Sequence, residues 1–376
     1  MMSRWGTQEW LGVLAFLTAI AFWNGALDGS LIFRWCLPAL GLPILLLTRK
    51  EQGNWTLAHT VGLAYLLLAF ISLAWTLEIL DGAQRFLQIE LVAVPAFCIG
   101  ASVKSLKWVY VGFALGLIPS ALLAIGQAYF PEHQLWYVVQ AAKPAGLWMN
   151  RNTMAEISAL VLIGLLASRI WWAIPAPIVC LLIAQERIAF AALGLAAAGW
   201  LWSRHKIAAI GIAVLILGGG GYTILTSPPE SSAGQRLAIW QDSYDGLTPL
   251  GRGIGSFLTA WPEHLGHYAI TGVTQRPDHA HNDFVEALFE LGPLGAALLL
   301  LLFALCLCGA PSAEGLIVLA LATECLAAFP LHLPATLFLG ALAGGRAAVA
   351  GVPLHRRLYG LAVAYSRRHV GASGAA

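Results

Sequence analysis

Residues 276–306, RPDHAHNDFVEALFELGPLGAALLLLLFALC, set two histidines, an asparagine and an aspartate directly before an apolar run long enough to cross a bilayer. Histidine takes and returns a proton near neutrality, because its unperturbed pKa is about 6.5. Beside a helix start, where unpaired backbone N–H groups favour an anion, such a side chain suits chemistry on a phosphate ester. Asp283 with Glu286 reads as a capping pair for the helix that follows. Capping accounts for the acids and leaves His279 and His281 unexplained. His281, followed by Asn282, is the better placed of the two for acid–base work.

Other polar elements repeat the pattern. In GLWMNRNTMAE (146–156), Thr153 and Glu156 have the spacing of a capping box, while Asn150, Arg151 and Asn152 exceed what a cap needs. Those three suit a sugar or a diphosphate; an ordinary loop is the alternative. Gln185, Glu186 and Arg187 stand between two apolar runs with almost no room for a loop. An ionisable group at membrane depth is costly unless paired. Arg187 is therefore either a bidentate phosphate ligand or the ion-pair partner of Glu186. Arg236 heads a segment whose Leu237, Ile239, Trp240 and Tyr244 suggest a short helix on the membrane surface. GRGIGSF follows no predicted strand and reads as a tight loop, not a dinucleotide fingerprint. His264 and His267 are three apart with no acid or thiol to complete a metal set, and no metal is expected. His332, between Pro330 and Pro334, tips a turn and joins Asn150, Arg151, Asn152 and Asn282 as a candidate substrate-binding residue.

The elements that position these groups follow from composition. Charged residues are 11% of the 376 and hydrophobic ones 59%, against roughly 25% charged in soluble proteins. A soluble fold of this size cannot bury that much apolar surface, so the expected class is an all-α integral membrane protein. The apolar segment after Met1-Met2-Ser3-Arg4-Trp5 lacks a convincing cleavage site and reads as a retained span. A net charge of +2 gives no reason to expect nucleic acid. The cysteines, Cys36, Cys98, Cys180, Cys306, Cys308 and Cys325, all lie in apolar segments and read as packing residues.

Since a spanning helix needs about 20 apolar residues, about twelve spans are expected. They lie near 9–27, 30–47, 56–77, 86–103, 108–129, 153–172, 174–186, 188–202, 207–225, 284–308, 312–329 and 334–350. They make residues 1–376 a single polytopic domain with one long loop, 226–283. Lys and Arg in the short loops put both termini in the cytoplasm: Arg49, Lys50, Lys104, Lys107, Arg169, Arg204, Lys206 and the tail arginines 356, 357, 367 and 368 share one side. Every chemically loaded segment then faces outward, towards the periplasm of a bacterial inner membrane.

Four elements in this order resemble the O-antigen ligase and polymerase superfamily. They are Gly146-x-x-x-Asn150-Arg151-Asn152, Arg236-x3-Trp240 leading to Pro249-Leu250-x-x-Gly253-x-Gly255, His279-x-His281-Asn282-x-x-x-Glu286, and FPLHLPAT. The likeness runs from about residue 146 onward. It implies an all-helical membrane glycosyltransferase of GT-C type that takes a glycan from an undecaprenyl diphosphate carrier at the periplasmic face. Ligases of the family pass it to lipid A–core and polymerases to another carrier-linked unit, with no nucleotide sugar, cofactor or metal. By this resemblance His281 is the essential histidine, and Arg187 and Arg236 hold the leaving diphosphate. The family pattern at the first arginine is Ser-Arg-Gly, whereas Glu186 and Ile188 flank Arg187 here.

The chemistry agrees. Breaking a glycosyl–phosphate bond needs positive charge on the leaving diphosphate and a base for the incoming hydroxyl, which arginines and a histidine supply. Lys143, Arg151, Arg252 and Arg276 add positive charge that favours a multiply phosphorylated acceptor, hence a ligase. A polymerase is the alternative within the class. A transporter or lipid-glycan flippase is the alternative outside it, since twelve spans is also a transporter count.

Overall fold

The structure is a computed structural model, and it describes residues 6–21, 29–47, 55–130, 144–148, 150–274, 276–309 and 312–351. Among these, all regular structure is helical. The order is α1 (Thr7–Ile20), α2 (Gly29–Leu47), α3 (Leu57–Ser72), α4 (Ile79–Gln88), a π-helical turn at Ile89–Ala93, α5 (Val94–Gly100) and α6 (Lys107–Tyr129). Then come α7 (Arg151–Ser168), α8 (Pro175–Ala184), α9 (Arg187–Leu201), α10 (Lys206–Thr226), α11 (Ser232–Asp245), α12 (Phe257–Ala260) and α13 (His267–Ile270). The chain closes with α14 (Asp283–Leu307), α15 (Ala313–Glu324) and α16 (Pro334–Ala350).

Three of these, α6, α10 and α14, are long and apolar enough to cross a membrane by length and composition, and shorter apolar helices surround them. The protein is a membrane protein. Two expected spans differ from expectation. The segment 174–186 is a ten-residue helix, about 15 Å at 1.5 Å per residue, half the ~30 Å of a bilayer core. The span 284–308 is broken: Gly292 has φ 68° and ψ −174°, followed by Pro293. Proline carries no N–H and crowds the preceding turn, so the carbonyls there need other donors. The glycine loop supplies them. Arg252 N donates to Phe289 O at 3.0 Å and Gly253 N to Glu290 O at 2.8 Å. GRGIGSF is thus a tight loop plugged into the break, with Gly251, Gly253 and Gly255 at positive φ.

The helices pack about one large apolar core that draws on α1, α2, α5, α6, α7, α15 and α16. Small residues let backbones meet, as on α1 and α6, where a Cβ on Gly112 would strike the Gly12 carbonyl. Arg34 on α2 is 1% exposed and lies 3.8 Å over the Trp148 ring. It donates to Thr18 O (3.2 Å) at the end of α1 and to Leu147 O (2.9 Å). Carbonyls at a helix C-terminus welcome a cation, so this guanidinium fixes the approach to α7.

The long loop is itself folded. Ile239, Phe257, Ala260, Trp261, Tyr268, Ala280 and Phe289 form a separate aromatic core. Ile239 is 2% exposed inside it, so α11 does not lie on the membrane through Leu237 and Ile239 as its sequence suggested. Stacked aromatic rings bury more than a lipid interface would take.

Candidate functional site

The start of α14 is where the polar residues meet. Asn282, not Asp283, is the N-cap: its Oδ1 accepts from Phe284 N (3.0 Å) and Val285 N (3.1 Å). Its Nδ2 donates to Leu326 O at 3.0 Å, so the Asn282 amide is spent on structure and not free for a sugar. The acids expected to cap are released for other work. Asp283 Oδ2 accepts from Leu331 N (3.1 Å), and Asp283 N donates to Cys325 O (3.0 Å). The turn after α15 is thereby clamped to the start of α14.

Glu286, 2% exposed, gathers three donors. Its Oε2 accepts from Ala280 N at 2.8 Å, and its Oε1 meets His279 Nδ1 at 3.0 Å and His332 Nε2 at 3.1 Å. His332 Nε2 is also 3.4 Å from Asp283 Oδ1. His279, Glu286 and His332 are donor types that bind metals, yet these separations are hydrogen-bond lengths that already pair each donor with an acceptor. Arg85 of α4, whose Nη2 donates to Leu331 O at 3.1 Å, adds a cation beside them.

The two histidines divide the charge. Burial disfavours the His279 imidazolium, but the Glu286 carboxylate more than offsets this, so its pKa lies above the ordinary histidine value. His332 is held well below that value by burial and by the neighbouring Arg85 and His279. His279 raised, His332 lowered: one cation shares Glu286, and a neutral His332 donates from Nε2. A pH dependence follows. With a folded pKa above its unfolded ~6.5, His279 stabilises the fold fully below that pH and loses the contribution as pH rises through the raised value. The melting temperature of the wild type should therefore fall more between about pH 6 and pH 9 than that of His279→Gln. Parallel slopes for the two would refute the pairing.

His281 differs from both. Its backbone is left-handed, φ 51°, which costs a non-glycine residue about 1–3 kcal/mol and persists only where neighbours impose it. Its ring meets Phe329 edge-on at 5.0 Å, and no hydrogen bond engages it among the described residues. Burial, then Arg236, then His279 hold its pKa at about 3. The imidazole is neutral and open to accept a proton.

Arg236, on α11, is the cation at its side. Burial lowers its guanidinium pKa, while Glu186 and Glu156 work to keep it charged. Arg151, the first residue of α7, lies 4.0 Å from Glu186, the N-cap of α9. The starts of α7 and α9 therefore meet at this cluster, which links through Arg236 to His281. Arg187 is exposed at the first position of α9, and it is Glu186 that reaches Arg151 and Arg236. The alternative reading of Arg187, an ion pair with Glu186, is not met, since Glu186 lies against Arg151. Asn150 is the N-cap of α7, accepting from Asn152 N at 2.8 Å, so the capping box placed on Thr153 and Glu156 does not form. Glu156 and Glu324, 2% and 0% exposed, instead hold carboxylate oxygens with no hydrogen-bond partner, as does Asn152 at Oδ1.

His264 and His267 stay out of the site. Arg252 Nη2 meets His264 Nε2 at 3.0 Å, and His267 Nδ1 is 2.9 Å from the fully buried Asp242. Lys143, Arg49, Lys50 and the tail arginines lie outside the described residues.

Residues 172–300 match the family model described as O-antigen ligase. Over that stretch, about a third of its length, the chain is similar to the O-antigen ligase family. No curated protein matches it. The O-antigen ligase segment contains Arg187, Arg236, His279, His281 and Glu286, and leaves Asn150, Arg151, His332 and Arg85 outside. Two ionisable residues that the structure sets near these groups escaped sequence reasoning although a signal existed. Glu324 is a lone acid in the apolar run LALATECLAAF, and Arg85 precedes the apolar FLQIELVAVPAF; intramembrane ionisable groups mark sites by default.

Proposed function

We propose that this protein is an O-antigen-ligase-like glycosyltransferase that moves a glycan from undecaprenyl diphosphate to a hydroxyl of lipid A–core. The observation that carries this reading is a His281 imidazole without a hydrogen bond among the described residues, with the half-buried Arg236 guanidinium acting on it. Arg236 accepts the departing diphosphate, and the adjoining helix starts add partial positive charge. The acceptor hydroxyl attacks the anomeric carbon, the bond to the diphosphate oxygen breaks with its electron pair, and His281 takes the proton. An arriving diphosphate neutralises Arg236, which removes one of the charges that depress His281. The base strengthens as the donor lands. In this reading the single polytopic domain is of GT-C type, and the 226–283 loop and the site face the periplasm.

The acceptor assignment rests on basic residues near the site beyond Arg236. The exposed Arg276 remains available for it, whereas Arg151 is paired with Glu186 and Arg252 is committed to Gly246 O and His264. A strain lacking the gene tests it on a gel of surface glycans. The expected result is full-length polymer held on its carrier and absent from lipid A–core. Single repeat units on the core with loss of the long ladder would make the protein a polymerase.

A further inference from the structure

Trp240 has no role in the chemistry above, yet it makes one specific polar contact. Its indole Nε1–H donates to the Ala280 carbonyl at 2.9 Å. Ala280, fully buried, is the residue before His281, and its own N–H is held by Glu286 Oε2 at 2.8 Å. On the other side of His281, the Asn282 side chain is tied to Phe284, Val285 and Leu326. His281 thus sits in its left-handed conformation between two peptides fixed by other elements. Four of these five hydrogen bonds come from α14 and the turn beside it; the fifth comes from α11.

That fifth bond has a particular address. Trp240 and Arg236 are four apart on α11, one helical turn, and so lie on one face of a rigid element. We propose that Trp240 is a positioning residue for His281: it fixes the Ala280 carbonyl so that the imidazole stands at a set place relative to Arg236. The proposal rests on the carrier-diphosphate reading of that pair. Leaving group and base must be in register with one sugar carbon, and both are then referred to the same helix. Small misplacements at a reacting centre are costly, which gives one hydrogen bond leverage over rate.

The test is Trp240→Phe, which keeps an aromatic ring in the packing and removes only the N–H. Two readouts are taken on purified full-length protein. One is kcat and KM with an undecaprenyl-diphosphate-linked glycan. The other is the rate at which diethyl pyrocarbonate modifies His281, followed by peptide mass spectrometry, with exposed His205 as internal control. The expected result is a kcat lower by about 10–10²-fold with KM within about twofold, and severalfold faster modification of His281 alone. Trp240→His, which retains a ring N–H, should recover part of kcat. Unchanged kcat and unchanged His281 reactivity would overturn the proposal, and so would lower kcat with unchanged His281 reactivity. Altered His281 reactivity with unaltered kcat would leave the positioning intact and refute the role given to His281. A fall in melting temperature that Trp240→His fails to reverse, with His205 and His281 modified faster together, would show Trp240 to be packing alone.

Discussion

His281→Ala is expected to lower glycan transfer by about 10²–10⁴-fold, the usual contribution of a general base, while the protein still inserts and melts normally. The separation of activity from stability follows from the site. The His281 ring forms no hydrogen bond among the described residues, and the helix start it precedes is capped by Asn282. Removing the imidazole therefore leaves no buried donor or acceptor orphaned. Alanine keeps the Cβ, so the left-handed backbone stays as strained as before and the melting temperature should remain near that of the wild type. Transfer within a few-fold of wild type would remove His281 from the mechanism. His279→Ala should act differently, lowering stability through Glu286 and activity only secondarily.

The second large effect is at Arg236. Arg236→Gln should cost about 10²–10³-fold in kcat, the order found when one donor to a developing oxyanion is lost. Arg236→Lys should be nearly as damaging if the diphosphate is held bidentately, because an ammonium is a point charge without a planar fork. Full activity with lysine would reduce the residue to an electrostatic anchor. Arg187→Gln is expected to be milder, since that side chain is exposed and Glu186 lies against Arg151. If Arg187→Gln proves the more severe of the two, the diphosphate lies along α9 and not against α11.

Parts of this arrangement were legible in the sequence and parts were not, for physical reasons. Hydropathy announces helices because a membrane imposes one length and one composition on them. It cannot announce the break at Gly292, because a Gly-Pro pair in an apolar run reads as tolerated punctuation until the loop at 251–253 is seen to satisfy the freed carbonyls. Clusters of polar residues at helix starts were correctly located, but the division of labour within them was not. Asn282 and Asp283 are adjacent and both are good caps, and only packing against Cys325, Leu326 and Leu331 decides which one turns inward. Likewise Glu156 and Thr153 have capping-box spacing, yet α7 begins three residues earlier than that box requires, at Arg151, which converts Glu156 from a cap into a buried acid. Long-range pairings were the least legible. Nothing in local spacing joins Trp240 to Ala280, Arg85 to Leu331, or Arg151 to Glu186.

The central claim is that this chain breaks a glycosyl–diphosphate bond. The most direct measurement is the release of undecaprenyl diphosphate by purified protein given a carrier-linked glycan and an excess of lipid A–core. The account predicts release in step with glycan appearing on the acceptor, dependent on both substrates and lost in His281→Ala. Glycan-carrier that crosses a vesicle membrane intact, with no diphosphate released and no difference between wild type and His281→Ala, would contradict it and make the protein a transporter.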